Sequence, residues 1–480
     1  MPAIDILKLA PSKSKSEAEM NLAFIASGDL RNVMETVNGL PQDFAGTLKV
    51  VMNDRDVYVT LRNIIMLEIL ARTPNKRRAA DIVLHLWYSA FLPDEYDVEI
   101  TAIGMDLATA TGALHVELGS NAALDADISD ELRALCSLLL VFSRGYGADH
   151  AMQELTRVRF NSDRVDFRHR QWLRCEPSHR LALLEYTKYG LVLPFGAHKA
   201  HFKNPNRFLF SPNGVWLQSD GVNPLDSWDI EEVVASGMAH GATRDDLYGC
   251  LYYHVAGQLQ KFASRLARMR ISFNITNLDA LELAKSMWRN DLADIGIPAK
   301  IRFDRIDVSN LFDEDYLGVA RVLDAWGGFI RRGTGGGVIV GHMINWIGRE
   351  PSARTTDVND RLFEKLLRRL PLPKMRKNPS VDEIRVLQGM LVAMAHGVAT
   401  AQDHSKAFEV HLSKQRISHA LLRAELKRRA VHEIVPHRLC APLSAAPAAL
   451  PDLENDEAWY LRVHVASPMW TERYLEIVPT

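Results

Sequence analysis

Apolar runs alternate with helical segments in two separate parts of the chain. In the first part, the apolar run at residues 22–26 leads into a small turn at residues 27–29, and a helical segment follows. A second apolar run at residues 48–52 closes on Asp54. The pattern predicts a strand, a tight turn, a helix and a second strand with an acidic residue at its tip. In open α/β sheets, nucleotide-like ligands bind at this edge.

Three further apolar runs, each separated from the next by a helical or polar segment, occur at residues 271–275, 302–308 and 338–343. The first ends near Asp279 and the second at Ser309 and Asn310. Alternating strands and helices predict a parallel sheet with crossover helices. Because parallel strands end at one edge, we expect these tips to lie beside Gly28 and Asp54.

The same patterns divide the chain into a flexible leader (1–20), a first half of the sheet (21–98), a mainly helical insertion (99–264), a second half of the sheet (265–350) and a helical region with a terminal β-hairpin (351–480). The period is helical throughout residues 99–190. Residues 195–230 are rich in Asn, Pro, Gly and aromatic residues, which predicts an ordered loop over a substrate site. Two β-like runs around Pro468 predict the terminal hairpin.

The predicted fold class is therefore α/β, with a Rossmann-like, mostly parallel sheet. The order of its elements, with the closing hairpin, resembles the class I S-adenosylmethionine-dependent methyltransferase fold. In that fold the first turn approaches the methionine portion and the acid after the second strand binds ribose. The tip of the third strand brackets adenine, and the fourth faces the transferred methyl group. The resemblance implies S-adenosylmethionine as cofactor and a cofactor site at Gly28, Asp29, Asp54, Asp279, Ser309 and Asn310.

Three motifs carry a more specific resemblance. They are SGDLRN at residues 27–32, NDRD at residues 53–56 with RN at residues 62–63, and LHLWYSAF at residues 84–91. Over about residues 4–100 the chain resembles a largely fungal domain of unknown function, which also forms the N-terminal part of a dynein axonemal assembly factor. That domain sometimes accompanies MYND zinc fingers, whose cysteine cluster is absent from this sequence. The resemblance implies a methyltransferase-like fold and no family-wide activity.

Composition is that of an ordinary globular protein. The chain has 480 residues, of which 47% are hydrophobic and 24% charged, and its formal charge of -2 gives no global electrostatic reason to expect nucleic acid or an anionic membrane as partner. The four cysteines are far apart, which argues against a zinc finger and for a reducing compartment. No run has the length of a membrane span. We therefore expect a cytoplasmic or nuclear protein.

Candidate catalytic groups are few. His85 and Tyr88 could provide acid/base or orienting hydrogen bonds, although a core position is the better interpretation of His85. His432 and His437 are spaced wrongly for a zinc helix, and Pro436 separates them, so no metal site is predicted.

One stretch could grip RNA, because aromatic residues interleave with seven arginines: Arg157, Arg159, Arg164, Arg168, Arg170, Arg174 and Arg180. The alternative, which we favour, is a solvated helical face that pairs with acidic residues.

Three functions follow from these expectations. The first is a methyltransferase, or a related transferase with a nucleoside-containing donor, that acts on a small-molecule or protein substrate. The second is a non-catalytic scaffold or assembly factor with a degenerate methyltransferase-like fold, which the single glycine of the turn favours. The third is a tRNA-dependent aminoacyl transferase on a Rossmann-like fold, with the arginine-rich stretch as its RNA grip.

Overall fold

The computed structural model describes residues 2–9, 19–110, 112–141, 145–333, 335–355, 364, 368, 376–453, 455–466 and 468–480. The strands in these residues are β1 (Glu19–Phe24), β2 (Thr47–Asn53), β3 (Phe91–Leu92), β4 (Ala113–Glu117), β5 (Ala122–Asp127), β6 (Asn204–Pro205), β7 (Arg270–Thr276), β8 (Arg305–Asp307), β9 (Val338–Met343), β10 (Leu426–Arg428) and β11 (Arg473–Pro479).

The α-helices of the described residues are α1 (Arg31–Gly39), α2 (Val57–Arg72), α3 (Lys76–Tyr88), α4 (Asp94–Thr109), α5 (Asp130–Cys136), α6 (Ala148–Arg159), α7 (Ser162–Leu173), α8 (Pro177–Tyr189), α9 (Ile230–Ala239), α10 (Leu247–Leu266), α11 (Ala280–Arg289), α12 (Val319–Trp326), α13 (Trp346–Arg349), α14 (Val381–Ala401), α15 (Ser405–Lys414), α16 (Ile417–Ala424) and α17 (Asp456–Trp459). Helices of 3-10 type lie at Pro224–Ser227, Ala293–Ile295 and Pro351–Thr355, and π-helical segments at Ser137–Val141 and Tyr460–Ala466. Within the described residues, no helix is long and apolar enough to cross a bilayer.

One large sheet organises the molecule, with strand order β10-β11-β9-β8-β1-β2-β7-β5-β4 among the described residues. The strands from β9 to β5 run parallel to their neighbours. Strand β11 is antiparallel to both β9 and β10, and β4 is antiparallel to β5. The predicted α/β class with a mostly parallel sheet is confirmed, and the expected apolar runs supply β1, β2, β7, β8 and β9.

Both faces of the sheet are covered. Along β1 and just beyond it, Leu22 and Phe24 belong to one buried cluster, whereas Ala23 and Ile25 belong to another. The first cluster includes apolar residues of α1, α2, α3 and α10, and the second includes those of α11 and α12. Successive side chains of a strand point to opposite faces, so a strand between two helical layers is apolar at every position. This explains the continuous apolar runs of the sequence.

The expectation that residues 99–190 are helical throughout is wrong at one place. Strands β4 and β5 form a hairpin, and β5 pairs in parallel with β7, so the hairpin extends the sheet. Val116, Leu124 and Ala126 are buried at alternate positions, as a strand requires. The edge of β7 offers unpaired backbone groups, and pairing with them outweighs a helical pattern of this length.

The predicted terminal β-hairpin is also wrong. Residues 456–466, the first of its two runs, are helical, and only the second run becomes a strand, β11. Strand β11 inserts between β9 and β10. Leu461, Val463 and Val465 are buried at alternate positions, so a short apolar run of this kind fits either structure.

Part of the predicted flexible leader packs onto the fold. Ile6 and Leu7 are buried, and the Ile6 amide donates to the Thr36 hydroxyl at 3.1 Å. The Ile4 amide donates to the side chain of Asn32 at 3.0 Å. These contacts fix residues 2–9 along α1. The middle of the leader, residues 10–18, lies outside the described residues.

The side chain of Asn53 ties three neighbouring strands together at the carboxyl edge. Its amide nitrogen donates to the carbonyls of Ile25 and Leu278, each at 2.9 Å. Its oxygen accepts from the Thr276 hydroxyl at 2.8 Å and from the Leu278 amide at 3.0 Å. Asn53 is 1% exposed, so all four hydrogen bonds form away from water. An amide with every donor and acceptor satisfied in a low-dielectric setting holds its neighbours strongly.

We expect Asn53→Leu to lower the free energy of unfolding by about 3–5 kcal/mol, because a similar volume is kept while buried partners lose their hydrogen bonds. Urea denaturation followed by circular dichroism measures this change. Asn121→Ala, at an exposed asparagine of the β4–β5 turn, is the matched control and should change stability by less than about 0.5 kcal/mol. Equal stability of the two variants would contradict the role given to Asn53.

Candidate functional site

The structure brings two of the predicted residues, Gly28 and Asp54, into direct contact. The Gly28 amide donates to Oδ2 of Asp54 at 2.9 Å, and the Asp56 amide donates to Oδ1 at 3.0 Å. The side chain of Asn277 donates to the Asp54 carbonyl at 2.8 Å. The turn after β1 and the tips of β2 and β7 thus form one hydrogen-bonded unit at the carboxyl edge.

Charged side chains surround the turn. Both carboxylate oxygens of Asp29 accept from Nε of Arg31 at 2.8 Å, and Nη1 of Arg31 donates to the Ser227 carbonyl at 3.2 Å. Arg62, from α2, donates to the Gly28 carbonyl at 3.4 Å. Its Nε atom is buried and has no hydrogen-bond partner among the described residues. Two guanidinium groups and two carboxylates therefore lie around a glycine turn.

The tip of β8 adds another carboxylate to this edge. Oδ2 of Asp307 accepts from the Asn32 side chain at 2.9 Å, and Oδ1 accepts from the Ser309 amide at 2.8 Å. Ser309 has a φ of 51°, in the left-handed region. The Asp307 carboxylate fixes this turn, so Asp307, which the sequence analysis did not select, is the acidic group of the fourth tip.

The other two predicted cofactor residues have structural contacts of their own. Asp279 is exposed and caps α11, because its carboxylate accepts from the Leu281 amide at 2.8 Å. The Asn310 carbonyl accepts from the Asp313 amide at 3.0 Å. Both residues lie at the predicted edge of the sheet, but the structure gives neither a contact with Gly28 or Asp54.

Burial changes the electrostatics of this edge. It raises the pKa of Asp54, although hydrogen bonds from the amides of Asp56 and Gly28 oppose the rise. Burial likewise raises the pKa of Asp307 against its hydrogen bonds, and it lowers the pKa of the Arg62 guanidinium. The charged groups are thus incompletely solvated, which strengthens their interactions with a polar ligand.

Of the two candidate catalytic residues, only Tyr88 is near the turn. Its hydroxyl accepts from Nε1 of Trp228 at 3.2 Å, and burial raises its pKa while the nearby charges of Arg31 and Arg62 lower it. His85 is 1% exposed, with Nδ1 2.8 Å from the Ser89 hydroxyl. This is the environment of a core histidine. Burial lowers the pKa of His85 to about 4.

The arginine-rich stretch is engaged in contacts within the chain. Arg164 and Arg168 both pair with Asp220, Arg157 pairs with Glu154, and Arg170 pairs with Asp166. Arg159 is buried and donates to the Tyr186 carbonyl at 2.9 Å. These are the partners that the ion-pairing interpretation expects. They leave the RNA interpretation without a structural argument in its favour.

His432 and His437 contact each other and the backbone of their own segment. The rings of His432 and His437 stack with their centroids 3.6 Å apart, and Nδ1 of His432 lies 2.9 Å from the Val435 carbonyl. No group of three or more histidine, cysteine or acidic residues suited to a metal ion occurs in the described part of the chain.

Two residues that shape the turn from outside it lie in motifs that the sequence analysis quoted, Asn32 in residues 27–32 and Arg62 in residues 62–63, but neither was assigned to the site. Asn32 lies in the first turn of α1 and Arg62 in the second turn of α2, and both side chains reach the edge from there. The sequence showed that Asn53 is a polar residue at a strand tip, but not that its side chain joins three strands. The sequence did carry a signal, because polar residues occur at the tips of these strands. Backbone groups at a tip have no partner in the next strand, so side chains must supply their hydrogen bonds.

Two cavities lie near this end of the molecule. One of about 380 Å³ is lined by Pro2, Trp228, Arg462 and Tyr474, among others. Another of about 770 Å³ is lined by α8, the start of α10 and the segment around Phe195. The second lies against the start of the loop that the sequence predicted to cover a substrate.

We expect the neutral His85 to make the protein acid-sensitive. Its folded pKa of about 4 lies below the unfolded value of about 6.5, so the unfolded chain binds the extra proton. The contribution of His85 to stability is therefore full above pH 6.5 and is lost as the pH drops toward 4, by about 1 kcal/mol at pH 5.5. Burial also lowers the pKa of His254 and His404 to about 4, so these histidines add to the decline. His85→Gln should lessen the decline, measured by urea denaturation at pH 5.5 and 7.5, by about 1 kcal/mol. His115→Gln, at an exposed histidine, should not; equal slopes in both variants would contradict the assignment.

Comparisons with known proteins identify one domain. Residues 1–92 match a family model described as a domain of unknown function (DUF4470). This range contains the motifs at residues 27–32, 53–56 and 84–91, and it supports a relationship of this part of the chain to a domain-of-unknown-function family. No curated protein and no solved structure matches the chain. The expected links to a dynein axonemal assembly factor and to fungi stay predictions.

Proposed function

We propose that the chain transfers a methyl group from S-adenosylmethionine, or uses a related nucleoside-containing donor. The observation that carries the proposal is the strand order. Read from β7 through β2, β1, β8 and β9, the parallel core has the order third, second, first, fourth and fifth strand of a doubly wound sheet, and the β4–β5 hairpin extends it beyond β7. The antiparallel β11 lies between β9 and β10, and this arrangement resembles that of class I methyltransferases.

The turn after β1 can admit a ligand closely. Gly28 is exposed, has a φ of +61°, and a Cβ added there would meet no atom within 4 Å. A residue other than glycine would be strained at this φ. The space beside the turn and the polar tips around it suit a donor that approaches the backbone. The residues present therefore fit a nucleoside-containing donor.

Two side chains are suited to hold such a donor. The Asp54 carboxylate accepts two backbone hydrogen bonds and keeps lone pairs for ribose hydroxyls, because a carboxylate has about four acceptor sites. The Arg62 guanidinium beside Gly28 suits the carboxylate of a methionine group, and its buried Nε lacks a partner among the described residues. When bound, S-adenosylmethionine supplies an electrophilic methyl group. The protein's part is then alignment and exclusion of water.

A non-catalytic scaffold is the second candidate, and one contact favours it. Gly28 and Asp54 bond to each other directly, at 2.9 Å, where a donor's ribose would have to lie between or beside them. A fold that had lost its donor would close this gap with its own side chains. No comparable contact favours an RNA-dependent transferase, because the arginines proposed as its grip pair within the chain.

Calorimetric titration of S-adenosylmethionine and S-adenosylhomocysteine into the full chain tests the proposal. We expect micromolar binding, weakened about 10- to 100-fold by Asp54→Ala, since a charge-assisted hydrogen bond contributes about 1.5–3 kcal/mol. Arg62→Met should weaken both ligands similarly, because both carry the amino acid carboxylate.

Asp106→Ala, at an exposed acid of α4 that pairs with Arg72, is the matched control and should bind as the unchanged protein does. Circular dichroism of every variant verifies folding. No heat with either ligand from folded protein would remove the methyltransferase proposal and leave the scaffold. Binding that Asp54→Ala and Arg62→Met do not affect would place the donor elsewhere.

A further inference from the structure

The larger cavity, of about 770 Å³, has walls of aromatic and apolar side chains. Tyr186 and Tyr189 come from α8, and Tyr248 and Tyr253 come from α10. The rings of Tyr186 and Tyr248 stack with centroids 4.5 Å apart and form a rigid wall. A volume of this size is typical of pockets that enclose a ligand of several residues or a drug-sized molecule.

Large apolar side chains stand exposed at the rim of this cavity. Phe195 is 86% exposed and Leu181 is 64% exposed, and both line the cavity. The Phe195 backbone is held, because its amide donates to Oδ2 of Asp246 at 2.7 Å. An exposed phenylalanine on an anchored backbone at the mouth of a cavity is typical of an interaction site rather than of ordinary surface.

The lining is also acidic. It carries three carboxylates, those of Glu185, Asp245 and Asp246, against one ammonium group, that of Lys199. The side chain of Asp245 is 59% exposed, and its carboxylate accepts from the Ser178 hydroxyl at 2.8 Å and lies 4.0 Å from the Arg244 guanidinium. Arg244 pairs more closely with Glu176, at 2.6 Å. The negative charge of Asp245 is therefore only weakly offset.

One corner of the cavity already holds a cation. The ammonium of Lys199 lies 4.2 Å from the centroid of the Tyr189 ring and pairs with the Glu185 carboxylate. A cation over a tyrosine face beside a carboxylate is stabilised by the ring quadrupole as well as by the charge. The position of Lys199 thus indicates that the walls of this cavity stabilise a cationic side chain.

We propose that this cavity is a docking site for a basic segment of a partner protein, in which an arginine or lysine is flanked by apolar residues. The cationic side chain enters between Tyr253 and the carboxylate of Asp245, and an apolar neighbour covers Phe195. Charge complementarity selects this occupant over an acidic or neutral peptide. The proposal concerns binding alone and does not depend on a donor at Gly28.

Fluorescence anisotropy of the full chain with four labelled nonapeptides tests the proposal. The peptides share the sequence Ser-Gly-Ser-Leu-X-Leu-Ser-Gly-Ser, where X is Arg, Lys, Gln or Glu. We expect micromolar binding of the Arg and Lys peptides, at least fivefold weaker binding of the Gln peptide and no detectable binding of the Glu peptide. Raising the salt from 50 to 300 mM should weaken the Arg peptide severalfold, because the acids at the rim are screened.

Two variants of the cavity and two matched variants on α4 locate the site. Phe195→Ser should weaken the Arg peptide about tenfold through lost apolar contact, and Asp245→Asn about threefold through lost rim charge. Val98→Ser and Asp106→Asn alter an exposed apolar residue and an exposed acid elsewhere, and should change nothing.

Several outcomes would overturn the proposal. They are equal affinity for the Arg and Glu peptides, no binding of any peptide, and loss of affinity in neither cavity variant. Displacement of the Arg peptide by equimolar spermine, with no effect of Phe195→Ser, would show a site for small polyamines instead. All four substituted positions are exposed or on the surface, so the variants should remain folded.

Discussion

The hydrogen bonds of one buried amide, that of Asn53, hold the carboxyl ends of β1, β2 and β7 together. Backbone groups at a strand tip have no partner in the next strand, and beside a covered edge they cannot rely on water. Asn53 provides two donors and an acceptor to groups of the β1 and β7 tips. Gly28 and Asp54 can then meet, because the strands that carry them are held in register at their ends.

The hydrogen bonds at the carboxyl edge suit both a catalyst and a scaffold. Asp54 and Asp307 both stabilise turns of their own chain, through amides of Gly28, Asp56 and Ser309. A carboxylate that accepts two amides is well oriented for a ligand's hydroxyl groups, since it need not reorganise when the ligand arrives. The same carboxylate also stabilises its turn when no ligand is bound. Arg62 brings a donor to the same edge, because its buried Nε has no hydrogen-bond partner among the described residues.

The accuracy of the sequence-based strand predictions depended on how each apolar run is composed and bounded. The runs at residues 48–52, 271–275 and 338–343 are bounded by turns and β-branched, so β2, β7 and β9 follow almost at their predicted ends. The segments that failed, at residues 113–127 and 459–466, are short alternating patterns. Each was decided by what lay beside it, the open edge of β7 in one case and packing against helices in the other. No local pattern contains that information.

For the site, the sequence located the polar tips but not the helices that bring charge to them. Gly28 and Asp54 were predictable because a parallel sheet gathers its carboxyl ends. Arg62 and Asn32 lie in the quoted motifs but could not be assigned to the site, because their helices carry other polar residues and only the packing selects which one reaches the edge. Asp307 was hidden for a simpler reason. It lies inside an apolar run, where burial rather than a turn was expected.

The C-terminus of α3 connects the two candidate sites. Tyr88 lies in the electrostatic environment of the donor turn, and the next two residues hold the wall of the acidic cavity. The Ala90 amide donates to the Gly190 carbonyl at 2.7 Å, and the Val192 amide donates to the Ser89 hydroxyl at 3.3 Å. The Asn206 side chain donates to the carbonyls of Leu86 and Ser89 at the end of α3. One helix end therefore helps to position both surfaces.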